Sequence, residues 1–207
     1  MDLGPDLRLL IFDFDGTLLH LEVDWEAVRR ALGTEATGET VGTAIQRLRL
    51  AGDEAALASI TEAELAGLGD ARLDPSVAGT LEALAERHHL AVFTRNSRTV
   101  VERAFAGAEP PYIVGREDVA ALKPDPAGLR RILDHFGLGR EQAVLVGDTY
   151  HDVEAAHAAG VRCVIVRNER LAYPPQGADA YIESLAELAP WYSPGGKPGG
   201  PLRSKSE

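Results

Sequence analysis

The sequence predicts an α/β protein: a three-layer α/β/α parallel sheet with a small α-helical segment inserted after the first strand. Three observations lead there. Five short runs rich in Val, Ile and Leu have the length of buried strands: Leu7 to Phe12, Leu90 to Phe93, Tyr112 to Val114, Ala143 to Val146 and Val161 to Val166. Between the later runs lie stretches with helical spacing, Pro75 to Arg87, Thr99 to Ala106, Pro126 to Phe136 and Asp152 to Ala159. Alternation of strand and helix is the pattern of a parallel sheet covered on both faces. Helix punctuation agrees, because Asp74 and Asp125 each precede a proline in the first helical position, and Gly137 and Gly160 stand where helices stop.

Taken in order, the first run is a strand that ends in polar residues from Asp13 onward. The stretch 19–72 contains no β-like run and carries Ala-, Leu- and Glu-rich segments at Asp24 to Leu32, Val41 to Leu50 and Glu54 to Leu68. It reads as a small helical cap set into the sheet domain, with the Gly- and Thr-rich joint from Gly33 to Thr43 as a turn. Residues 1–18 and 73–189 then form the core domain, in which the remaining strands and helices alternate. From residue 190 to 207 the chain is dominated by Pro, Gly and Ser, a composition that cannot pack a core, and a disordered tail is expected.

At 207 residues the chain fits one compact domain with an insertion. Its 45% hydrophobic and 26% charged residues are those of an ordinary globular protein, and no apolar run approaches the ~18 to 20 residues needed to cross a bilayer. With 21 Lys+Arg against 32 Asp+Glu the formal charge is −11, which repels phosphate backbones and excludes nucleic acid as an expected partner. A single cysteine, Cys163, cannot form an internal disulfide, and the first residues lack the layout of a signal peptide. The expected compartment is the cytoplasm, with no membrane partner, and the expected state a monomer or homodimer.

Ligands in open α/β sheets bind beyond the C-terminal ends of the strands. Three of the five expected ends carry plausible chemistry: Asp13-Phe14-Asp15-Gly16-Thr17, Thr94-Arg95-Asn96-Ser97, and Gly147-Asp148-Thr149-Tyr150-His151-Asp152. Lys123 and Pro124 follow the third run after a loop. In a continuing strand Asp13 and Asp15 would point to one face at a high desolvation cost, an arrangement that calls for a cation. Gly16 permits a sharp bend that brings Asp15 to the same place from another side. Asp148 at a neighbouring strand end would complete a set of oxygen ligands of the kind Mg²⁺ prefers. Asp152 reads as a solvated first-turn acid or as a supporting residue. Clustered carboxylates, a cation, a lysine and a hydroxyl suit phosphoryl transfer, which depends on positioning and charge neutralisation.

These residues also resemble a known family. Asp13 to Thr17 is the DxDGT signature of the haloacid dehalogenase-like hydrolase superfamily, and Thr94, Lys123 and the GDxxxD segment Gly147 to Asp152 match its remaining motifs in order. The match spans roughly Leu7 to Glu169 and is nearest to the phosphoglycolate phosphatase-like branch, with a shorter helical cap. The resemblance implies a Rossmann-like core and a Mg²⁺-dependent phosphatase that hydrolyses a small phosphorylated metabolite. It implies Asp13 as the nucleophile that forms an aspartyl-phosphate, and Asp15 as the general acid and then base. Thr94 and the main-chain N–H of Arg95 would hold phosphoryl oxygens and Lys123 would offset their charge. The metal would be held by Asp13, by the carbonyl of Asp15 and by Asp148, with Asp152 in support.

Relatives commonly have Asn directly after the phosphate-binding Thr, where this chain has Arg95 and then Asn96. The Arg95 side chain reads either as a contact to an anionic substrate or as a surface arginine. Alternatives on the same scaffold are a phosphomutase, which needs a well-closing cap, and a haloacid dehalogenase, which usually lacks the second aspartate. A non-catalytic binding or scaffold protein is the alternative of another class. Cys163 reads as an inert buried thiol, and His151 and His157, six apart, do not form a metal-binding pair.

Overall fold

The computed structural model describes residues 6–35 and 37–191. Strands β1 (Leu9–Phe12), β2 (His89–Phe93), β3 (Tyr112–Val114), β4 (Ala143–Gly147), β5 (Arg162–Val166) and β6 (Ala180–Ile182) form one parallel sheet in the order β3-β2-β1-β4-β5-β6. The five expected strands are present. The sixth, β6, is an addition that the sequence reading did not contain; its three residues pair with Val164 to Val166 at the sheet edge.

Seven α-helices accompany the sheet among the described residues. After β1 come α1 (Trp25–Ala31), α2 (Val41–Ala51) and α3 (Glu54–Leu68), which make up the expected helical segment. Then follow α4 (Pro75–Ala85), α5 (Arg98–Ala104), α6 (Ala127–Phe136) and α7 (Tyr150–Ala159) in alternation with the strands. Side-chain caps set the starts. Asp24, Asp53 and Asp74 accept from Ala27 N, Ala56 N and Ser76 N at 2.8, 3.0 and 2.8 Å. The start of α6 differs slightly from expectation. Asp125 accepts from Ala127 N at 2.8 Å, but Pro126 lies outside the helix as its cap residue. A last 3₁₀ turn, Leu185–Trp191, closes the described chain, and the tail expected from residue 190 lies from 192 onward outside the described residues.

Alternation along the strands divides the apolar residues between the two faces. Leu10, Phe12, Val92, Val144 and Val146 pack with Leu81 and Leu84 of α4, Val100 and Val101 of α5, and Leu188. Leu9, Ile11, Phe93, Leu145 and Cys163 pack with Leu129 and Ile132 of α6 and Val153 of α7. The second cluster continues into Val28, Ile45, Leu48 and Ile60, so α1 to α3 share a core with the sheet domain. Cys163 is fully buried, and its pKa is raised, first by that burial.

The strand order places a topological switch between β1 and β4, where the chain's connections turn to opposite sides of the sheet. Phe12 is in register with Val146, and Asp13 N continues the ladder to Val146 O at 2.8 Å. Asp13 and Asp148 therefore stand side by side at the crevice where such folds bind their ligands.

Candidate active site

The backbone turns away from β1 at Gly16, which has φ +89°. A Cβ there would run into the Asp148 carboxylate, so the turn and the carboxylate position depend on glycine. A short bridge between Asp15 and Leu19 and the bond from Gly16 N to Leu19 O at 2.7 Å fix the loop that follows.

Lys123 is the centre of the charge arrangement. Its Nζ lies 2.8 Å from Asp13 Oδ1 and 2.7 Å from Asp152 Oδ1, with all three side chains almost wholly enclosed, and 5.3 Å over the Phe93 ring. Burial works against its charge, but the two carboxylates outweigh this and its pKa is raised. Asp152, expected as a solvated acid or a supporting residue, is fully buried. Besides Lys123, it accepts from Thr149 N at 3.0 Å and Thr149 Oγ1 at 2.8 Å, which caps α7. Burial alone would raise its pKa, yet Lys123 and Thr149 hold it below the ordinary value.

Asp13, Asp148 and Asp152 offer carboxylate oxygens that all lie within 4.8 Å of one another. Burial raises Asp13 to about 7 and Asp148 to about 6, with the neighbouring carboxylates adding to the shift. Three buried carboxylates face one ammonium, so full ionisation leaves two negative charges uncompensated. A divalent cation with hard oxygen preference has the charge and donor type to fill that deficit.

Asp148 Oδ1 accepts from Thr17 Oγ1 at 3.3 Å and its Oδ2 from Asn168 Nδ2 at 2.5 Å. Asn168 escaped the sequence reading. It lies just past the end of β5, and that end lay outside the three selected for chemistry. The Asp15 side chain is turned toward the segment that leads into α1, where Oδ1 accepts from Leu21 N at 2.8 Å. Burial raises its pKa against the effect of that bond.

The strand ends open into a cavity of about 860 Å³, lined on the sheet side by Asp13, Asp15, Thr94 and Arg95 and on the other by Trp25 and Gly42. Arg95 is half-buried and lies against Gly42 of α2; burial lowers its pKa despite the nearby Asp13. His151 also faces this space. Its Nδ1 is buried without a hydrogen-bond partner among the described residues, and burial, Arg95 and Lys123 push its pKa down to about 4, leaving a neutral ring.

Two further residues that the sequence reading did not select stand behind the site. Glu64 of α3 and Arg116, which follows β3, form an ion pair at 2.7 Å with 1% and 2% side-chain exposure. A signal existed, since Ile60, Glu64 and Leu68 are spaced by four and form the buried stripe of α3. An acid on such a stripe requires a partner.

The profile of the haloacid dehalogenase-like hydrolases matches residues 57–166, a stretch that includes Thr94, Lys123, Asp148 and Asp152 and lies beyond Asp13 and Asp15. The chain is 32% identical to the phosphoglycolate phosphatase of Rhodospirillum rubrum over 91% of its own length and 93% of that protein. It is 33% identical to the phosphoglycolate phosphatase of Pectobacterium atrosepticum, over 76% and 79%. Among solved structures, CbbY from Rhodobacter sphaeroides in complex with phosphate is similar at a TM-score of 0.64 and 26% identity, covering 88% of this chain and 96% of that one.

Proposed function

Because the chain belongs to the haloacid dehalogenase-like hydrolase family, we propose that it is a Mg²⁺-dependent phosphatase that hydrolyses a small phosphorylated metabolite through an aspartyl-phosphate on Asp13. The observation that carries the reading is Asp13 itself. It is buried at the switch point of the sheet, faces the cavity, and is held by the Lys123 ammonium at 2.8 Å. That ion pair aims one carboxylate oxygen and favours its ionised, nucleophilic form.

An Asp13 oxygen forms a bond to phosphorus as the bond from phosphorus to the leaving oxygen breaks. Asp15, two residues away with its pKa raised, protonates that oxygen and then takes a proton from the water that cleaves the aspartyl-phosphate. Thr94 and the main-chain N–H of Arg95 hold phosphoryl oxygens, and Lys123 offsets their charge. Asp13 and Asp148, with the carbonyl of Asp15, would hold Mg²⁺, while Asp152 supports them by anchoring Lys123. When bound, the ion supplies positive charge beside the phosphoryl group. We further propose that residues 19–72 act as the cap over the cavity, whose volume suits a small metabolite. The relatives' names make phosphoglycolate the first compound to try in a substrate panel. Asp15 argues against a haloacid dehalogenase on this scaffold.

Purified protein is expected to hydrolyse p-nitrophenyl phosphate with MgCl₂ and to stop on addition of a chelator. Asp13→Asn is expected to lower kcat by about 10³ or more. Robust turnover by that variant would overturn the mechanism.

A further inference from the structure

We infer that Glu64, a residue of α3 outside the catalytic set, is a positioning residue that sets the direction of the Thr94 hydroxyl through Asn96. The inference rests on the phosphatase reading only in taking Thr94 as a ligand of the phosphoryl group.

Hydrogen-bonding capacity settles each step. Glu64 Oε1 accepts from Arg116 Nη1 at 2.7 Å and from Asn96 Nδ2 at 3.1 Å, and Oε2 accepts from Ser97 N at 3.2 Å. Donors thus occupy both oxygens, and although burial raises the Glu64 pKa, the Arg116 guanidinium and these bonds favour the carboxylate form, with Oε1 filled by its two donors. A carboxylate only accepts, so the Asn96 amide must present its NH₂ to Glu64 and its oxygen the other way. That oxygen lies 2.8 Å from Thr94 Oγ1, and an amide oxygen also only accepts, so the hydroxyl donates its single hydrogen to Asn96. Asn96 N donates back to Thr94 Oγ1 at 3.1 Å, which holds the oxygen in place. All three residues are buried, with exposures of 1% for Glu64, 7% for Asn96 and 1% for Thr94, so water does not readily substitute in the chain.

The consequence concerns phosphate. A phosphoryl oxygen offers lone pairs and no hydrogen, so Thr94 can hold it only by turning its hydroxyl away from Asn96. That leaves the amide oxygen of Asn96 buried and unpaired, because Glu64 prevents the amide from flipping. The docked α3 therefore weakens the grip of Thr94 on phosphate, and by linkage a bound phosphate weakens the tie between Asn96 and the cap. Such a site releases its product more readily than one whose hydroxyl is free.

Direct binding of orthophosphate in MgCl₂, measured by calorimetry, tests this without depending on turnover. Asn96→Ala removes the acceptor and leaves the Glu64–Arg116 pair intact, so its Kd for phosphate is expected to fall by roughly fivefold. Glu64→Ala should tighten phosphate similarly and add nothing in the Asn96→Ala background; Asn96→Ala should have no effect in a Thr94→Val background. General damage to the fold would weaken phosphate in every variant. An unchanged or raised Kd in Asn96→Ala, or additive effects of Glu64→Ala and Asn96→Ala, overturns the inference. Failure of the wild-type protein to hydrolyse any phosphate ester while it still binds orthophosphate would instead overturn the phosphatase reading and leave this inference standing.

Discussion

At the scale of single residues, the site is a contest between burial and charge. Asp13 and Asp148 pack into a place where burial raises them from 3.8 to about 7 and about 6. A carboxyl with a raised folded pKa binds its proton more tightly folded than unfolded. Its stabilising contribution is present below the unfolded value and is lost as pH rises through the folded one. These two groups therefore make the metal-free protein less stable between about pH 4 and 7, a window that Asp152, lowered below 3.8, does not enter. A dication that takes the place of the protons reverses the loss. The rise in Tm on replacing a chelator with MgCl₂ is expected to be larger at about pH 8 than at about pH 5, and an equal rise at both would contradict it. Asp13, Asp148, Thr94 and Lys123 were legible in the sequence because chemistry-bearing residues at strand ends stand out from apolar runs. Asn168 and Glu64 were not, because an Asn in a polar loop or a Glu in a helix acquires meaning only from what the fold brings against it.

At the scale of elements, the strands read well from sequence because both faces of a parallel sheet are buried and leave near-continuous apolar runs. β6 escaped because it has only three residues, Ala180–Ile182, and borrows its order from β5. Helix starts were legible where a capping Asp accepts a main-chain N–H, and the one-residue difference at α6 lies within the usual fraying of helix ends. Packing between elements was less accessible. Gly128, in the first turn of α6, lies so close to the Phe93 ring at the end of β2 that a Cβ would overlap the ring itself. The Phe93 ring also lies beneath Lys123, so it has little freedom to retreat. Gly128→Ala, ordinarily favourable in a helix, is here expected to cost about 1–3 kcal/mol by overpacking and to lower Tm by roughly 2–4 °C per kcal/mol. A Tm equal to or above the parent's would show that α6 can shift to accept the methyl group.

At the scale of the molecule, α1 to α3 and the sheet are joined by an apolar core and, among the described residues, by a buried ion pair that crosses between them. Val28, Ile45, Leu48 and Ile60 share a cluster with the sheet, and Arg116 meets Glu64 at 2.7 Å and also donates to Thr61. Burying both charges costs desolvation that their attraction only partly returns, so the pair is weak as a source of net stability. Removing one partner is a different matter, since it strands the other charge in an apolar place. Arg116→Ala is therefore expected to lower the unfolding free energy by about 3–5 kcal/mol. Replacing both partners with apolar residues, Glu64→Leu with Arg116→Met, should recover most of that loss, because no charge is left unpaired. Urea unfolding of the three proteins distinguishes the cases: a midpoint that falls in the single variant and returns in the double, at unchanged slope, fits this account. If the double variant is as unstable as the single, the pair stabilises the fold outright. With its fold regained, the double variant is expected to bind phosphate more tightly than the parent, because the carboxylate that orients Asn96 is gone. Taken together as a pair, Glu64 and Arg116 are thus expected to matter little for whether the chain folds, while the Glu64 carboxylate sets how tightly the site holds phosphate.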